Sequence, residues 1–333
     1  MANIIIADVC NLKCPFCFAG EYLGSAQQGL AFLSLDVFEQ RLDFLERSGI
    51  HEIRLIGGEP TLHPRFVELI EMATRRQNHI VVFSHGLIPE LSLNCLEALP
   101  PEHCTVLINT NASRNTNGPS EAEVSRRFAT ISRLGSKALP GFTIYTPNFE
   151  MDFLLDLIQG SGCKRQIRVG IAQAMLSAHN QYLHPKQYPA VGARLVQFAQ
   201  RAARMGIRLE LDCGFVRCMF STHDLEVLHT CGIAFESHCN PILDIGLDGR
   251  IIHCFPLTGR IEMAAHNTLN AGDMRKELAR KTRAFRVAGI YRECSDCQYK
   301  LNNTCSGGCL ASTMLRFRPA KIHVKVPDGV EMI

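Results

Sequence analysis

Short apolar runs alternate with amphipathic stretches along the first two-thirds of the chain. The runs at 3–8 (NIIIAD), 52–57 (EIRLIG), 80–85 (IVVFSH), 105–110 (TVLINT), 142–147 (FTIYTP) and 167–172 (IRVGIA) read as strands. Between the first two, residues 34–49 place Leu35, Phe38, Leu42 and Leu45 at helical spacing, with Ser34 as N-cap and Gly49 as the stop. Segments 64–77, 120–135, 150–162 and 189–206 repeat the helical pattern. Strands alternating with helices form successive βα units around a parallel sheet, an α/β class. Six units without a dinucleotide-type Gly-rich turn predict a partial (β/α)6 TIM-like barrel rather than a Rossmann sheet. A further strand is available at 207–212. From Cys213 onward the alternation stops, and cysteine, glycine and short loops take over. The reading is a barrel at 1–212, a small cysteine-rich extension at 213–320 and a tail at 321–333, either a capping strand or disordered.

Composition narrows the setting. The 333 residues are 46% hydrophobic and 20% charged, enough to bury a large core. A net charge of +3 is too small to argue for nucleic acid or an anionic membrane surface, so neither is expected as a partner. No run approaches the ~20 apolar residues of a membrane helix. The start, MANIIIADVC, lacks a basic leader and a cleavage site, which predicts a cytoplasmic address where thiols stay reduced.

Against that background the fifteen cysteines are the anomaly. Cys95, Cys104 and Cys163 are scattered and read as buried packing residues. Three more, Cys10, Cys14 and Cys17, follow the first strand, and nine lie between Cys213 and Cys309. In a reducing compartment clustered thiols are better read as ligands than as disulfides. Parallel barrels carry their chemistry on the loops after the strands. Three thiolates there hold three irons of a [4Fe–4S] cube and leave the fourth free for another ligand.

The second strand runs directly into GGEPTLHP (57–64). Together, Cys10-x3-Cys14-x2-Cys17 and this GGEP resemble the signatures of the radical S-adenosylmethionine (SAM) superfamily, over about residues 3–212. The resemblance implies that Gly57, Gly58, Glu59 and Pro60 hold the amino group of SAM, with Glu59 balancing the ammonium. It implies an electron passed from the cluster to SAM, and a 5′-deoxyadenosyl radical that takes a hydrogen atom from substrate. In FSHG (83–86), Ser84 and His85 occupy the place of a ribose-contacting turn, with His85 where relatives carry Asn. Asn109 reads either as a SAM contact or as a turn cap; Gln173, after the sixth strand, is expected to reach the barrel mouth near adenine. Phe16 resembles the aromatic that flanks adenine, and packing alone also accounts for it.

The C-terminal cysteines resemble the SPASM/twitch extension of the superfamily, which holds one or two auxiliary [4Fe–4S] clusters. Cys239-x9-Gly249-x4-Cys254 reads as a hairpin turning at Asp248-Gly249, and Cys294-x2-Cys297-x7-Cys305-x3-Cys309 follows. Relatives usually have five residues where seven stand here, and no cysteine follows Cys309, where a full SPASM domain has one. Carried over, Cys239, Cys254 and Cys309 ligate the nearer cluster with Cys231 as candidate fourth ligand. Cys294, Cys297 and Cys305 ligate the farther one and leave an open or non-cysteine position. A single twitch-like cluster and a zinc ribbon are the competing arrangements. Cys213 and Cys218, at the junction, are candidate hydrogen-atom donors in the manner of peptide epimerases of the superfamily, further cluster ligands, or buried thiols. The basic stretch 275–286 reads as a solvated helix face, with docking of an acidic leader peptide as the alternative.

The expected activity is radical SAM modification of a peptide by crosslinking, oxidation or epimerisation. The alternative is a dehydrogenase or epimerase of a small molecule such as an aminoglycoside. Because the chain opens on its first strand pattern, a preceding peptide-recognition domain is not expected, which weighs against leader-guided crosslinking. An electron donor such as flavodoxin or ferredoxin is implied by the chemistry.

Overall fold

The computed structural model describes residues 2–20, 31–111, 121–264 and 269–317; the 321–333 tail lies outside them. Seven strands run parallel in chain order, each paired with the next: β1 (Ala2–Ala7), β2 (Glu52–Gly57), β3 (His79–Ser84), β4 (Cys104–Asn109), β5 (Ala138–Ile144), β6 (Gln166–Ile171) and β7 (Arg208–Leu211). The connecting helices are α1 (Leu35–Arg47), α2 (Phe66–Arg75), α3 (Glu90–Ala98), α4 (Glu121–Leu134), α5 (Phe153–Ser161) and α6 (Tyr188–Arg204). Among the described strands β7 pairs with β6 alone, so the sheet is a partial barrel. The expected β/α alternation is this architecture, with the 207–212 run as its seventh strand.

Strand alternation explains where the core sits. Ile4, Ile6, Ile53, Leu55, Ile80, Val82, Val106, Ile108, Ile167 and Val169 face the helices and are fully buried. They meet Phe38, Leu42 and Leu45 of α1 and their counterparts on the other helices, each such side chain contributing about 1.5–3 kcal/mol of burial. Helix α1 begins as expected: Ser34 Oγ accepts from the Val37 N–H. The opposite, half-buried strand positions, among them Arg54, Phe83, Asn109, Thr143 and Arg168, line the concave side.

Two elements differ from the pattern. β5 starts at Ala138, ahead of the expected 142, because Val106 and Ile108 pair across to Ala138 and Pro140. Its Pro140 and Gly141 disguise a strand, and only the pairing partner makes them one. α3 was not expected: its register buries only Ser92, Leu93 and Leu96 and leaves Leu91 exposed, so the amphipathic signal is weak.

Beyond β7 come α7 (Thr222–Thr230), β8 (Asp244–Ile245), β9 (Ile251–Ile252), β10 (Glu262–Met263), α8 (Ala271–Ala288), α9 (Gln298–Leu301) and α10 (Leu310–Arg316). β8 and β9 form the expected hairpin, with Gly249 at φ +80° and the Gly246 N–H donating to Arg250 O across its neck. The hairpin is no separate sheet. β8 adds in parallel to the free side of β1, and Asn3 Nδ2 donates to Asp244 Oδ1 at 2.6 Å. The cysteine-rich segment thus continues the barrel sheet past 212, giving the order β10-β9-β8-β1-β2-β3-β4-β5-β6-β7. Among the described residues no helix is long and apolar enough to cross a membrane.

Candidate functional site

The loop after β1 carries Cys10, Cys14 and Cys17, and the end of β2 is sewn to it. Gly57, paired with Ala7, has φ +143°, and a Cβ there would lie 2.1 Å from Ala7 O. Only glycine lets the two strand exits approach so closely. The Gly58 N–H then donates to Ala7 O, and the Glu59 N–H to Val9 O. Each cysteine is partly buried, and burial is the main cause that pushes their thiols up, to about 11 at Cys10 and about 12 at Cys14. Mutual repulsion adds to this at Cys10 and Cys14. Three thiols crowded this way hold their protons until a cation displaces them.

Glu59, the N-cap of the 3-10 turn Pro60–Leu62, is 1% exposed. Its Oε1 accepts from Thr61 N–H and Oγ1, and its Oε2 from the His85 N–H at 2.9 Å, with His85 Nε2 at 3.2 Å. Both oxygens of the GGEP carboxylate are therefore engaged within the protein. His85 Nδ1 accepts from the Leu87 N–H, which leaves the proton on Nε2, facing Asn11 Oδ1 at 2.7 Å. Burial lowers the imidazole below its ordinary value, against the opposing pull of Glu59. Ser84 Oγ accepts from the Gly86 N–H, closing the FSHG turn.

Other expected residues fall as follows. Asn109 Oδ1 caps the turn by accepting from Asn111 N–H, while its Nδ2 donates to Thr143 Oγ1. Phe16 stacks on Tyr145 at 4.9 Å. Gln173 is buried, with its Oε1 accepting from Ser312 of α10, so it faces the C-terminal extension. Three residues escaped the sequence reading. Arg127 of α4 is buried near Cys14, with Nε donating to His85 O and Nη2 unpartnered. An arginine among the apolar positions of α4 was the available signal. Asn180 clamps the cysteine loop, its Nδ2 reaching Phe16 O and Gln173 O, and Tyr145 supplies the stacking partner; neither has a local signature.

The C-terminal thiols form two groups. Both the Cys213 and Cys254 thiols are raised well above their ordinary value, Cys213 by burial and then by Asp212, Cys239 and Cys309, and Cys254 by burial and then by Cys239, Cys309, Asp244 and Cys213. The second group, Cys218, Cys294, Cys297 and Cys305, lines one small cavity of about 20 Å³. Cys213 and Cys218 keep exposed surface even so. Cys231 stands apart, at the end of α7 on a groove with Arg204 and Thr230. The groups share the Cys305–Cys309 segment, where the Cys239 N–H donates to Ser306 Oγ and the Ser306 N–H to Ser237 O. Tyr291 Oη–H donates to Pro185 O and ties this region to the barrel. Among the described residues no three His, Cys, Asp or Glu side chains converge to hold a single metal ion. A cube instead spreads its ligands, one thiolate to each iron.

The fold is thus a parallel partial barrel with a cysteine triplet beside a glycine-fused second strand. The chain carries a domain of the Radical SAM superfamily, whose family profile matches residues 4–118. Among curated proteins it is 36% identical over 76 residues to GTP 3′,8-cyclase of Shewanella denitrificans, covering 23% of this chain and 22% of that protein. It is 38% identical over 69 residues to the same-named protein of Mannheimia succiniciproducens, covering 21% and 20%. The chain thus spans about a fifth of the length of these relatives. Its fold is similar to Streptococcus suis SuiB bound to precursor peptide SuiA, with TM-score 0.67 at 14% identity, covering 95% of this chain and 73% of that one. It is also similar to native anSMEcpe with bound AdoMet, with TM-score 0.63 at 16% identity, covering 92% and 88%.

Proposed function

We propose that this protein is a radical SAM enzyme that modifies a peptide, with SAM seated at a [4Fe–4S] cluster held by Cys10, Cys14 and Cys17. The observation that carries the reading is the fusion of the cysteine loop to the GGEP turn through the Gly57–Ala7 contact, because it brings three thiols and one polar turn together at two adjoining strand exits. The donor set fits the group: three thiols suit three irons, and one corner stays available to a ligand. With SAM bound there, such a cluster supplies a 5′-deoxyadenosyl radical. The chain does the rest: Phe16 and Tyr145 offer an aromatic wall beside the cysteine loop, and Arg127 sets a cation near Cys14. The unpartnered Arg127 Nη2 suits an anionic group of the cofactor.

On the concave side, Arg168 is paired with Asp212 at 2.7 Å and lies over the Phe83 ring, a mixed polar and aromatic wall that suits a peptide segment. Similarity in fold to a protein whose structure holds a precursor peptide supports the same substrate class. The C-terminal thiols then serve auxiliary [4Fe–4S] clusters in a SPASM-like arrangement, with Cys213 joining Cys239, Cys254 and Cys309 at the nearer one. A flavodoxin- or ferredoxin-type donor supplies the electron. The test is anaerobic reconstitution with iron and sulfide, followed by dithionite and SAM. The wild-type chain is expected to release 5′-deoxyadenosine and Cys14→Ala to release none. No release by wild type sinks the enzyme assignment, and hydrogen abstraction from a small metabolite, never from a peptide, sinks the substrate class.

A further inference from the structure

The farther cysteine group poses a problem that the sequence spacing leaves unsolved. Cys294, Cys297 and Cys305 make three thiols, and residues 310–333 contain no cysteine. The fold brings a fourth from upstream. Cys218 sits in the 3-10 turn Arg217–Met219 and lines the same pocket as the other three, with Val216, Ile290 and Gly307. We propose that Cys218 is the fourth thiolate of this auxiliary site, which is thereby closed by four cysteines and offers no vacant iron to substrate.

Two local features hold the four thiols together. Gly192, in the middle of α6, lets the Cys218 turn lie directly on the helix, since a Cβ at 192 would fall 2.2 Å from Met219 O. On the other side, Gly289 and Gly307 pack their backbones together against Cys294. A Cβ at Gly289 would lie 2.5 Å from Cys294 Cβ, and one at Gly307 2.9 Å from Gly289 Cα. The Cys305 Sγ already accepts from the Gly307 N–H, the kind of donor that stabilises a thiolate. With all four irons ligated by protein, the site suits electron transfer rather than substrate binding.

This inference rests on the auxiliary-cluster reading, and the experiment separates the two. The full-length chain carrying Cys10→Ala, Cys14→Ala and Cys17→Ala is reconstituted anaerobically, so that only auxiliary iron is counted. About eight irons per chain are expected, two cubes' worth. Adding Cys218→Ala should lower the count to about four, or leave the count and change one of the two reduced electron paramagnetic resonance signals, and Cys297→Ala should do the same. Cys231→Ala should change neither. If the parent triple variant binds no iron, or zinc in its place, the cluster reading fails and this inference with it. If the parent binds eight and Cys218→Ala keeps all eight with both signals unaltered, the Cys218 assignment alone is overturned.

Discussion

Gly57 shows how much of the site depends on one missing side chain. Its positive φ and the 2.1 Å approach of an added Cβ to a backbone carbonyl leave no cheap relief, because neither strand exit can withdraw without breaking the Gly58 and Glu59 hydrogen bonds. Gly57→Ala is therefore expected to destabilise the fold by about 2–4 kcal/mol, combining backbone strain with the displaced strand. It should also loosen the cysteine loop enough to lower iron retention. Urea titration with iron analysis checks both. A variant within ~0.5 kcal/mol of wild type would show that the strands do not approach this closely. Gly57 was readable from GGEP. Arg127, Asn180 and Tyr145 were not read, because each acts through a partner far along the chain; Arg127 left only its place among the apolar positions of α4, and the other two carry no local pattern.

The connections between strands and helices are held by small polar clamps, and His63 is the clearest. It follows the Pro60–Leu62 turn and enters α2, with Nε2 against Leu33 O at 2.8 Å and Nδ1 accepting from the Arg65 N–H at 3.0 Å. The carbonyl on one side and the N–H on the other select the neutral ring with its proton on Nε2. Burial, with Arg65 assisting, lowers the imidazole below its ordinary value, against the pull of the Leu33 carbonyl. The unfolded chain therefore binds a proton more readily, and the stability His63 provides is present above about pH 6.5 and lost as pH falls below it. The urea midpoint should drop between pH 7.5 and pH 5.5, and His63→Gln should reduce that drop; an equal drop in both proteins removes the clamp from the account. Elements whose apolar spacing is regular, such as α1 and α6, were legible in advance. α3 and the start of β5 were not, since weak amphipathicity in one and Pro140–Gly141 in the other are overruled by pairing and burial.

The molecule is joined across its expected boundary at 212. β8 extends the barrel sheet from β1, Arg41 Nη2 donates to Leu247 O, and Ser177 Oγ–H donates to Thr258 O. Iron bound to the C-terminal thiols should then stabilise the barrel too, because a ligand that binds only the folded state shifts unfolding by mass action. Loaded protein is expected to melt several degrees above the iron-free chain in one coincident transition, followed by far-ultraviolet circular dichroism and by loss of cluster absorbance. Two separate transitions would mean that the extension folds by itself.

Period-two and period-3.6 patterning, together with a cysteine triplet and GGEP, was enough to read the α/β class, most strand positions, the Asp248–Gly249 hairpin and the radical SAM resemblance, because each is encoded by neighbours within a few residues. The grouping of the C-terminal thiols was not readable in that way. Spacing suggested Cys231 for the nearer set and left the farther one short; in the proposed arrangement Cys213 joins Cys239, Cys254 and Cys309, and Cys218 shares a cavity with Cys294, Cys297 and Cys305. Those partners are separated by tens of residues. They meet only because Gly192 admits a turn against α6 and β8 docks on β1, contacts between surfaces that exist only after the chain has folded.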